Sequence, residues 1–281
     1  MFSEKYKYTS EQPIQVESMS HQLKQRIWNL FYIQEIQSGG LKSERMGRTL
    51  HGNPQIEDLI LDKLGCDITK NEENNLDRLK RELLDFFQWY EVYDFIDLHI
   101  SLLSGEKKSE RIKQYNNLLE EEKAGYRIIN GEVAPITDKN EIKSIETTIQ
   151  SPYDSVRIHI SKALELYADR KNPDFENSIK ESISAVEAMC CTITGLYGKG
   201  ATLNVALKKM KEHDIHIHKA LENAFISLYG YTSDETGIRH GGIDFTNAPS
   251  EDAKYMLVSC SAFVNYLMEK WNKVKDSQSN E

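Results

Sequence analysis

The 281-residue sequence lacks any run of about 18 consecutive apolar residues, the length that a membrane-spanning helix needs. Its first ten residues are polar and rich in tyrosine, and they lack the apolar stretch of a secretory signal peptide. We therefore expect a cytoplasmic protein with no membrane partner.

Cysteine is scarce, and the four that occur form no Cys-x-x-Cys pair. This excludes the spacing that is typical of zinc ribbons and thioredoxin-like redox sites. We interpret the cysteines as reduced residues, mostly of the core. His213, His216 and His218 lie close together, but no second pair of ligands stands nearby, so they predict a solvated loop. We expect no metal and no cofactor.

Positive charge is in deficit, because 35 Lys and Arg face 44 Asp and Glu, for a net charge of -9. Such a chain repels polyanions, so general DNA binding is not expected and any contact with nucleic acid must come from a local basic site. Hydrophobic residues make up 39% and charged residues 28%, which favours a globular fold over a disordered chain.

Apolar residues recur at spacings of three and four through most of the chain, which predicts an all-α protein. In the first half the pattern predicts helices over 18–36, 54–64 and 107–122, and a long core helix from Asn75 to at least Ile96. That long helix is expected to place Phe86 and Tyr90 on its buried stripe. Asn130-Gly131 lies between two extended runs, which predicts a small β-hairpin near residues 126–135.

A polar helical connector over 138–149 leads into a more regular set of helices, and we place the domain boundary near Gln150. The expected organisation is a helical domain over 1–150, an antiparallel helical bundle over 151–275 and a disordered tail over 276–281. One bundle helix, over 218–229, is expected to bury Leu221, Ala224, Phe225 and Leu228.

The most informative segment, residues 229–244, joins two of these helices and contains Arg239 and His240 between glycines. A guanidinium binds a phosphate through fixed donors, and an imidazole exchanges protons near neutral pH, so the pair suits phosphodiester cleavage. The alternative is an arginine that caps a helix end beside a turn. Glu187, with Lys180 on the same flank, is a second candidate, whose alternative is a structural ion pair.

Several stretches of the chain resemble a known family. In the first half they are Phe2-Ser-Glu-Lys-Tyr-Lys-Tyr-Thr-Ser, Gln15-Val-Glu-Ser-Met and Arg26-Ile-Trp-Asn-Leu30. In the second half they are Asp169 to Glu187, Tyr229-Gly-Tyr-Thr-Ser-Asp-Glu and Ile238-Arg-His240. With them the chain resembles the AbiJ-type abortive-infection proteins of bacterial phage defence, and its C-terminal part is similar to HEPN domains.

This resemblance implies a helical bundle that often pairs as a dimer and in many members cleaves RNA without a metal ion. Such domains use an arginine, a following polar residue, and a histidine four to six residues past the arginine. Arg239 and His240 match the first two positions, whereas Asp244 occupies the first slot for the histidine and no histidine follows. The implied roles are phosphorane stabilisation by Arg239, proton transfer by His240, orientation of that imidazole by Asp244, and support from Glu187 and Lys180.

Two interpretations of the function stay open. The first is a phage-defence effector with RNA as its substrate, a homodimer formed through the C-terminal bundle, and an N-terminal domain that senses or restrains it. The second is a catalytically inactive HEPN-like module that binds RNA, a nucleotide or a protein partner through the same segment. The missing distal histidine favours the second.

Overall fold

The computed structural model describes residues 14–37, 60–66, 75–169, 171–197, 202–233 and 248–279. Within these ranges the regular structure is helical except for one small two-stranded sheet, which confirms the expected all-α fold with a hairpin. The chain divides into two compact units, Met1–Ile136 and Thr137–Glu281. Among the described helices, none combines the length and the apolar character that crossing a bilayer demands.

Helix α1 of the first unit spans His21–Phe31. Its start is fixed by Ser20, whose hydroxyl oxygen accepts a hydrogen bond from the Leu23 backbone N–H at 3.2 Å. One face buries apolar side chains against the core of this unit. The helix then widens into a π-helical turn over Tyr32–Gln37, and this turn places Glu35 in the interior.

The next helical stretch differs from the single long helix that the sequence predicts. Helix α2 covers Asn75–Arg81 and continues as a second π-helical turn over Glu82–Phe86. The chain then extends at Phe87, where ψ is 132°. Helix α3 starts afresh at Trp89 and ends at Ser101.

This interruption has two local causes. The Gln88 backbone N–H donates to Glu91 Oε2 at 2.7 Å and so begins a new helix, and the π-helical turn before it changes which residues face inward. The side chains of Phe86 and Tyr90 are therefore 61% and 46% exposed, and their predicted place on the buried stripe is wrong.

Helix α4 spans Gly105–Glu121, and a hairpin follows it. Strands β1 (Arg127–Ile129) and β2 (Glu132–Ala134) pair antiparallel. Asn130 and Gly131 connect them with positive φ angles of 52° and 95°, which asparagine and glycine adopt most readily. The predicted hairpin is confirmed.

The chain before α1 is tied to the end of α4. Gln15 forms an isolated parallel bridge with Ala124, in which its backbone N–H donates to the Lys123 carbonyl at 2.9 Å. The Gly125 N–H donates in turn to the Gln15 carbonyl at 2.8 Å. A Cβ atom at Gly125 would lie 3.0 Å from that oxygen, so this close pairing needs a glycine.

A charged cluster lies inside the first unit. Arg111 Nη2 donates to Glu35 Oε1 at 2.6 Å, and His99 Nε2 lies 3.2 Å from the same oxygen. The other ring nitrogen of His99 is 2.9 Å from the Tyr115 hydroxyl. Because a carboxylate only accepts hydrogen bonds, we assign the proton of neutral His99 to Nε2, which lets Nδ1 accept from Tyr115.

The protonation states follow from burial and from the neighbouring charges. Burial acts to raise the pKa of Glu35, but His99 and Arg111 outweigh it and lower that pKa below its ordinary value. Burial lowers the pKa of His99 despite the Glu35 carboxylate beside it, and it raises the pKa of Tyr115. At neutral pH the cluster is a Glu35–Arg111 ion pair next to a neutral imidazole and a neutral phenol.

The second unit is a bundle of helices with marked ends. Its helices are α5 (Lys139–Ile149), α6 (Asp154–Ala168), α7 (Phe175–Thr194), α8 (Leu203–Lys209), α9 (Lys219–Ser233) and α10 (Ser250–Ser279). Asp138 caps α5 by accepting from the N–H groups of Asn140 and Glu141, and Asp174 caps α7. Gly195 ends α7 with a φ of 65°.

Helix α7 forms the centre of the packing in this unit, with α6 and α10 both against it. Ile183, Val186 and Met189 of α7 are buried together with Leu164 of α6 and Val264 of α10. Helix α5 packs on α10 and α6, so in the structure it belongs to the second unit. The two compact units thus divide before α5, between Ile136 and Thr137, whereas the boundary expected near Gln150 lies just after it.

Helix α9 is less buried than its apolar pattern predicts. Leu221 is 37% exposed and Ala224 is exposed, so their predicted burial is wrong. The helix instead packs by stacking the Phe225 ring on Phe263 of α10, with the ring planes 13° apart. A contact of this kind at one position covers only part of an apolar stripe.

Helix α10 continues to Ser279 and includes residues for which the sequence predicts a disordered tail. The Lys275 ammonium lies 5.8 Å from the ring centres of both Tyr153 and Trp271. It is also 3.2 Å from the Tyr153 hydroxyl. These contacts hold the helix beyond the last buried turn.

We predict that Arg111→Met lowers the free energy of unfolding of the first unit by about 3 to 5 kcal/mol, because it leaves the Glu35 carboxylate buried without its main partner. The measurement is urea unfolding followed by tryptophan fluorescence in a Trp271→Phe background, where Trp28 and Trp89 report on this unit. The matched control is Lys113→Met, which replaces an exposed cation on the same helix, α4, and should cost under about 1 kcal/mol. Equal losses in the two variants would contradict the prediction.

The same unit should lose stability as the pH falls below about 6.5. In the folded state His99 has a lowered pKa and stays neutral, while in the unfolded chain it takes up a proton. Its contribution is therefore present above the unfolded pKa and declines by up to about 1.4 kcal/mol per pH unit below it. Glu35, whose pKa is also lowered, adds a loss at more acidic pH.

The measurement is the same unfolding experiment repeated between pH 7 and pH 5. His99→Gln removes the titrating group and should flatten the decline in this range. A wild-type curve as flat as that of the variant would show that His99 takes up its proton in the folded state as well.

Candidate functional site

The candidate residues Arg239, His240 and Asp244 lie outside the described residues. What the structure describes is the pair of helices that their segment joins, α9 before it and α10 after it. Tyr231 in the last turns of α9 donates a hydrogen bond to Asp252 Oδ2 in the first turn of α10 at 2.6 Å. This bond holds the two helix ends together at the base of the segment.

The Tyr231 phenol acts here as a donor and not as a base. Burial and the neighbouring Asp252 carboxylate raise the pKa of Tyr231 to about 12, so the hydroxyl keeps its proton at physiological pH. Its side chain is still 40% exposed. A protonated, partly exposed phenol can position a ligand or brace a loop, but it cannot take up a proton from a substrate.

Glu187 is the candidate residue that the structure describes, and it lies half-buried on α7. Its charge acts on two adjacent thiols. Burial raises the pKa of both Cys190 and Cys191, and the Glu187 carboxylate adds to the shift. Both thiols therefore stay protonated at neutral pH and do not qualify as nucleophiles.

The basic neighbour expected for Glu187 has a different partner. Lys180 Nζ lies 2.8 Å from Glu176 Oε1, one helical turn earlier on α7. Such an i,i+4 pair is a common stabilising feature of a helix surface. Because α9 also packs against α7, Glu187 is on a helix that touches one of the two helices flanking the candidate segment.

A second charged cluster, between α6 and α7, was not anticipated from the sequence. Glu181 of α7 accepts from Lys162 at 2.6 Å and lies 2.6 Å from Nδ1 of His159, both on α6. Burial acts to raise the pKa of Glu181, but the two neighbours outweigh it and lower that pKa. His159 and Lys162 are three residues apart on α6 and therefore lie on one face of that helix. The sequence does not indicate that Glu181 of α7 lies opposite them.

The three clustered histidines take no part in a shared site. His213 closes a short 3-10 turn after α8, and His218 Nδ1 accepts from the Ala220 N–H at 3.2 Å at the start of α9. His216 is exposed between them. In the described part of the chain, no three His, Cys, Asp or Glu side chains converge as a metal site would require.

The state of Glu187 can be tested through Cys191. Glu187→Gln removes a negative charge close to the thiol, so the thiolate fraction should rise and alkylation by iodoacetamide at neutral pH should accelerate about two- to fivefold. Mass spectrometry of the Cys191 peptide measures the rate. The control is Glu251→Gln, an exposed acid on α10 that should leave the rate unchanged. An unchanged rate in Glu187→Gln would mean that this carboxyl is uncharged or remote from the thiol.

Comparison with known families gives one match, to the family described as AbiJ N-terminal domain 4, over residues 1–151. Neither the curated proteins nor the solved structures contain a match to the chain. The matched residues are more than half of the 281. The chain therefore belongs to the AbiJ N-terminal domain 4 family and is an AbiJ-type abortive-infection protein of phage defence.

Proposed function

We propose that this protein is a phage-defence effector whose C-terminal unit cleaves RNA through Arg239 and His240, without a metal ion. The observation that carries the proposal is the extent of the family match. It covers residues 1–151 and leaves helices α6 to α10 to supply the effector activity. Arg239 and His240 lie within that remainder, next to each other in the sequence.

The described helices support this assignment by the way they present the segment. Tyr231 and Asp252 join the ends of α9 and α10, and α10 is packed along α7 for much of its length. The helices before and after the segment thus both belong to the bundle. Catalytic residues are commonly carried by loops that are mounted in this way.

The chemistry proceeds by attack of a ribose 2′-hydroxyl on the adjacent phosphate. His240 takes up the proton of that hydroxyl, the 2′-oxygen forms a bond to phosphorus, and the 5′-oxygen of the next nucleotide leaves. Arg239 stabilises the negative charge of the pentacoordinate phosphorane. The products are a 2′,3′-cyclic phosphate and a 5′-hydroxyl, and the acid that protonates the leaving oxygen is His240 or water.

Two further carboxylates are assigned supporting roles. Asp244, in the slot where a histidine stands in similar domains, orients the His240 imidazole. Glu187 supports the segment from α7, the helix on which α9 packs. Both act through other groups, so we expect their replacement by amides to cost less than the loss of Arg239.

We further propose that the protein acts as a homodimer through its C-terminal bundle. The net charge of -9 provides no general attraction for RNA. Two copies of Arg239 in one cleft would concentrate positive charge where the phosphate binds. The location consistent with an RNA substrate is the cytoplasm.

A second candidate function is favoured by one specific observation, that no histidine follows His240 in the sequence. In that case the segment binds RNA, a nucleotide or a protein partner without cleaving it. Arg239 would keep its role in binding, and the protein would act as a sensor or regulator.

The test is incubation of the purified full-length protein with total RNA or tRNA in the presence of EDTA, with end-group analysis of the fragments. We expect 2′,3′-cyclic ends, and a loss of rate of about 100-fold or more in Arg239→Ala and in His240→Ala. The matched control is Arg157→Ala, an exposed arginine on α6 that should keep full activity. If wild-type protein binds RNA but yields no cyclic ends, the second function holds.

A further inference from the structure

We propose that helix α5 is the coupling element between the AbiJ N-terminal domain and the C-terminal bundle, and that its polar seam with α10 is the point at which the coupling opens. The helix docks on α10 by hydrogen bonds and one ion pair. This inference goes beyond the proposed function by naming the element that regulates it, and part of its test does not depend on that function.

The end of the family domain and the division between the compact units do not coincide. The family match extends to residue 151 and includes all of α5, so this helix belongs to the N-terminal family domain. The compact units divide before it, between Ile136 and Thr137, because α5 packs on α10 and α6. The last element of the N-terminal domain is thus built into the packing of the C-terminal unit.

Helix α5 docks on α10 through buried polar groups. Thr148 of α5 is fully buried, and its hydroxyl oxygen lies 3.1 Å from the Ser261 carbonyl oxygen and 3.0 Å from the Asn265 amide oxygen. The Asn265 amide nitrogen donates back to the Ser144 carbonyl of α5 at 2.9 Å. Buried hydrogen bonds of this kind specify a single register, because a shift of either helix leaves several polar groups unpaired.

An ion pair lies at the end of the seam where α10 begins. Glu141 of α5 and Lys254 of α10 form an ion pair with 2.8 Å between Oε2 and Nζ, and their side chains are 30% and 34% exposed. Lys254 lies near the start of α10, where that helix follows the segment carrying Arg239 and His240. The pair therefore restrains the part of α10 closest in sequence to the proposed site.

Helix α5 buries fewer apolar side chains than its neighbours do. Helices α6, α7 and α10 bury many apolar side chains against one another, whereas Ile145 is the fully buried apolar side chain of α5. Groups that lose hydrogen bonds in the seam regain them from water when the helix lifts away. Opening α5 thus disturbs little of the apolar core, and a ligand or partner on the N-terminal domain can shift such an equilibrium.

The test uses charge reversal with rescue in the full-length protein, read by hydrogen exchange. Glu141→Lys and Lys254→Glu should each speed exchange of the α5 amides by roughly threefold to tenfold. In the same two variants, hydrogen exchange in peptides that cover residues 234–247 should also change. The double variant Glu141→Lys/Lys254→Glu restores the pair with its charges exchanged, so both effects should revert. The control is Lys273→Glu, which reverses an exposed charge on α10.

A second variant avoids dependence on the ion pair. Thr148→Val keeps the shape of the side chain but removes the hydroxyl from the seam, and it should open α5 in the same way. The proposal is overturned if α5 exchanges faster while peptides over 234–247 do not respond, or if no variant changes exchange in α5.

Ribonuclease assays on the same variants separate this proposal from the proposed function. Cleavage that changes in the single variants and returns in the double variant supports both. Absence of cleavage in the wild type overturns only the ribonuclease assignment, since the exchange experiment still decides whether α5 and the 234–247 segment are coupled.

Discussion

The packing of α7 against both α6 and α10 is the interaction on which the geometry of the C-terminal unit depends. Small residues make the approach of α6 possible. Ser178 and Ser182 of α7 are fully buried, and Ser178 donates to the Ala163 carbonyl of α6 at 2.7 Å. Helix α10 packs on α7 as well, and Glu187 of α7 is half-buried. The ends of α9 and α10 are positioned relative to this frame.

The N-terminal unit uses buried charge to fix its conformation. Both π-helical turns interrupt what would otherwise be regular helices, and one of them aims Glu35 at Arg111 and His99. Burying an ion pair brings little net stability compared with apolar residues of the same size. We infer that its effect is specificity, because alternative packings of the π-helical turn would leave the buried Arg111 without its carboxylate partner.

Local signals in the sequence were sufficient for the elements that depend on neighbouring residues. The hairpin at Asn130-Gly131 required only the preference of those residues for positive φ. The break between α2 and α3 was missed because the stripe through Phe86 and Tyr90 continues across it, and the π-helical turn has no comparable pattern. The exposure of Leu221 was missed because the amount of surface that neighbouring helices cover is a property of the tertiary fold.

The candidate site likewise combines residues that local sequence indicates with contacts that depend on the tertiary fold. Arg239 and His240 are predicted from residue chemistry and family resemblance, which need only the one short segment that contains both. The brace between Tyr231 and Asp252, and the meeting of His159 with Glu181, join residues that are 21 and 22 positions apart in the chain. Helical periodicity says which face a residue occupies but not which helix it meets, so these contacts required the structure.

The position of α5 bears on how the protein is best dissected. A fragment cut after residue 151 follows the family boundary but carries α5 away from its docking surface, which exposes Ile145 and leaves Thr148 facing solvent. The complementary fragment would lose the Ser144 carbonyl and the Thr148 hydroxyl, which are the α5 groups that pair with Asn265. A cut between Ile136 and Thr137 keeps each hydrogen-bonding pair of the seam within one polypeptide, so the C-terminal half retains α5 together with the surface on which it docks.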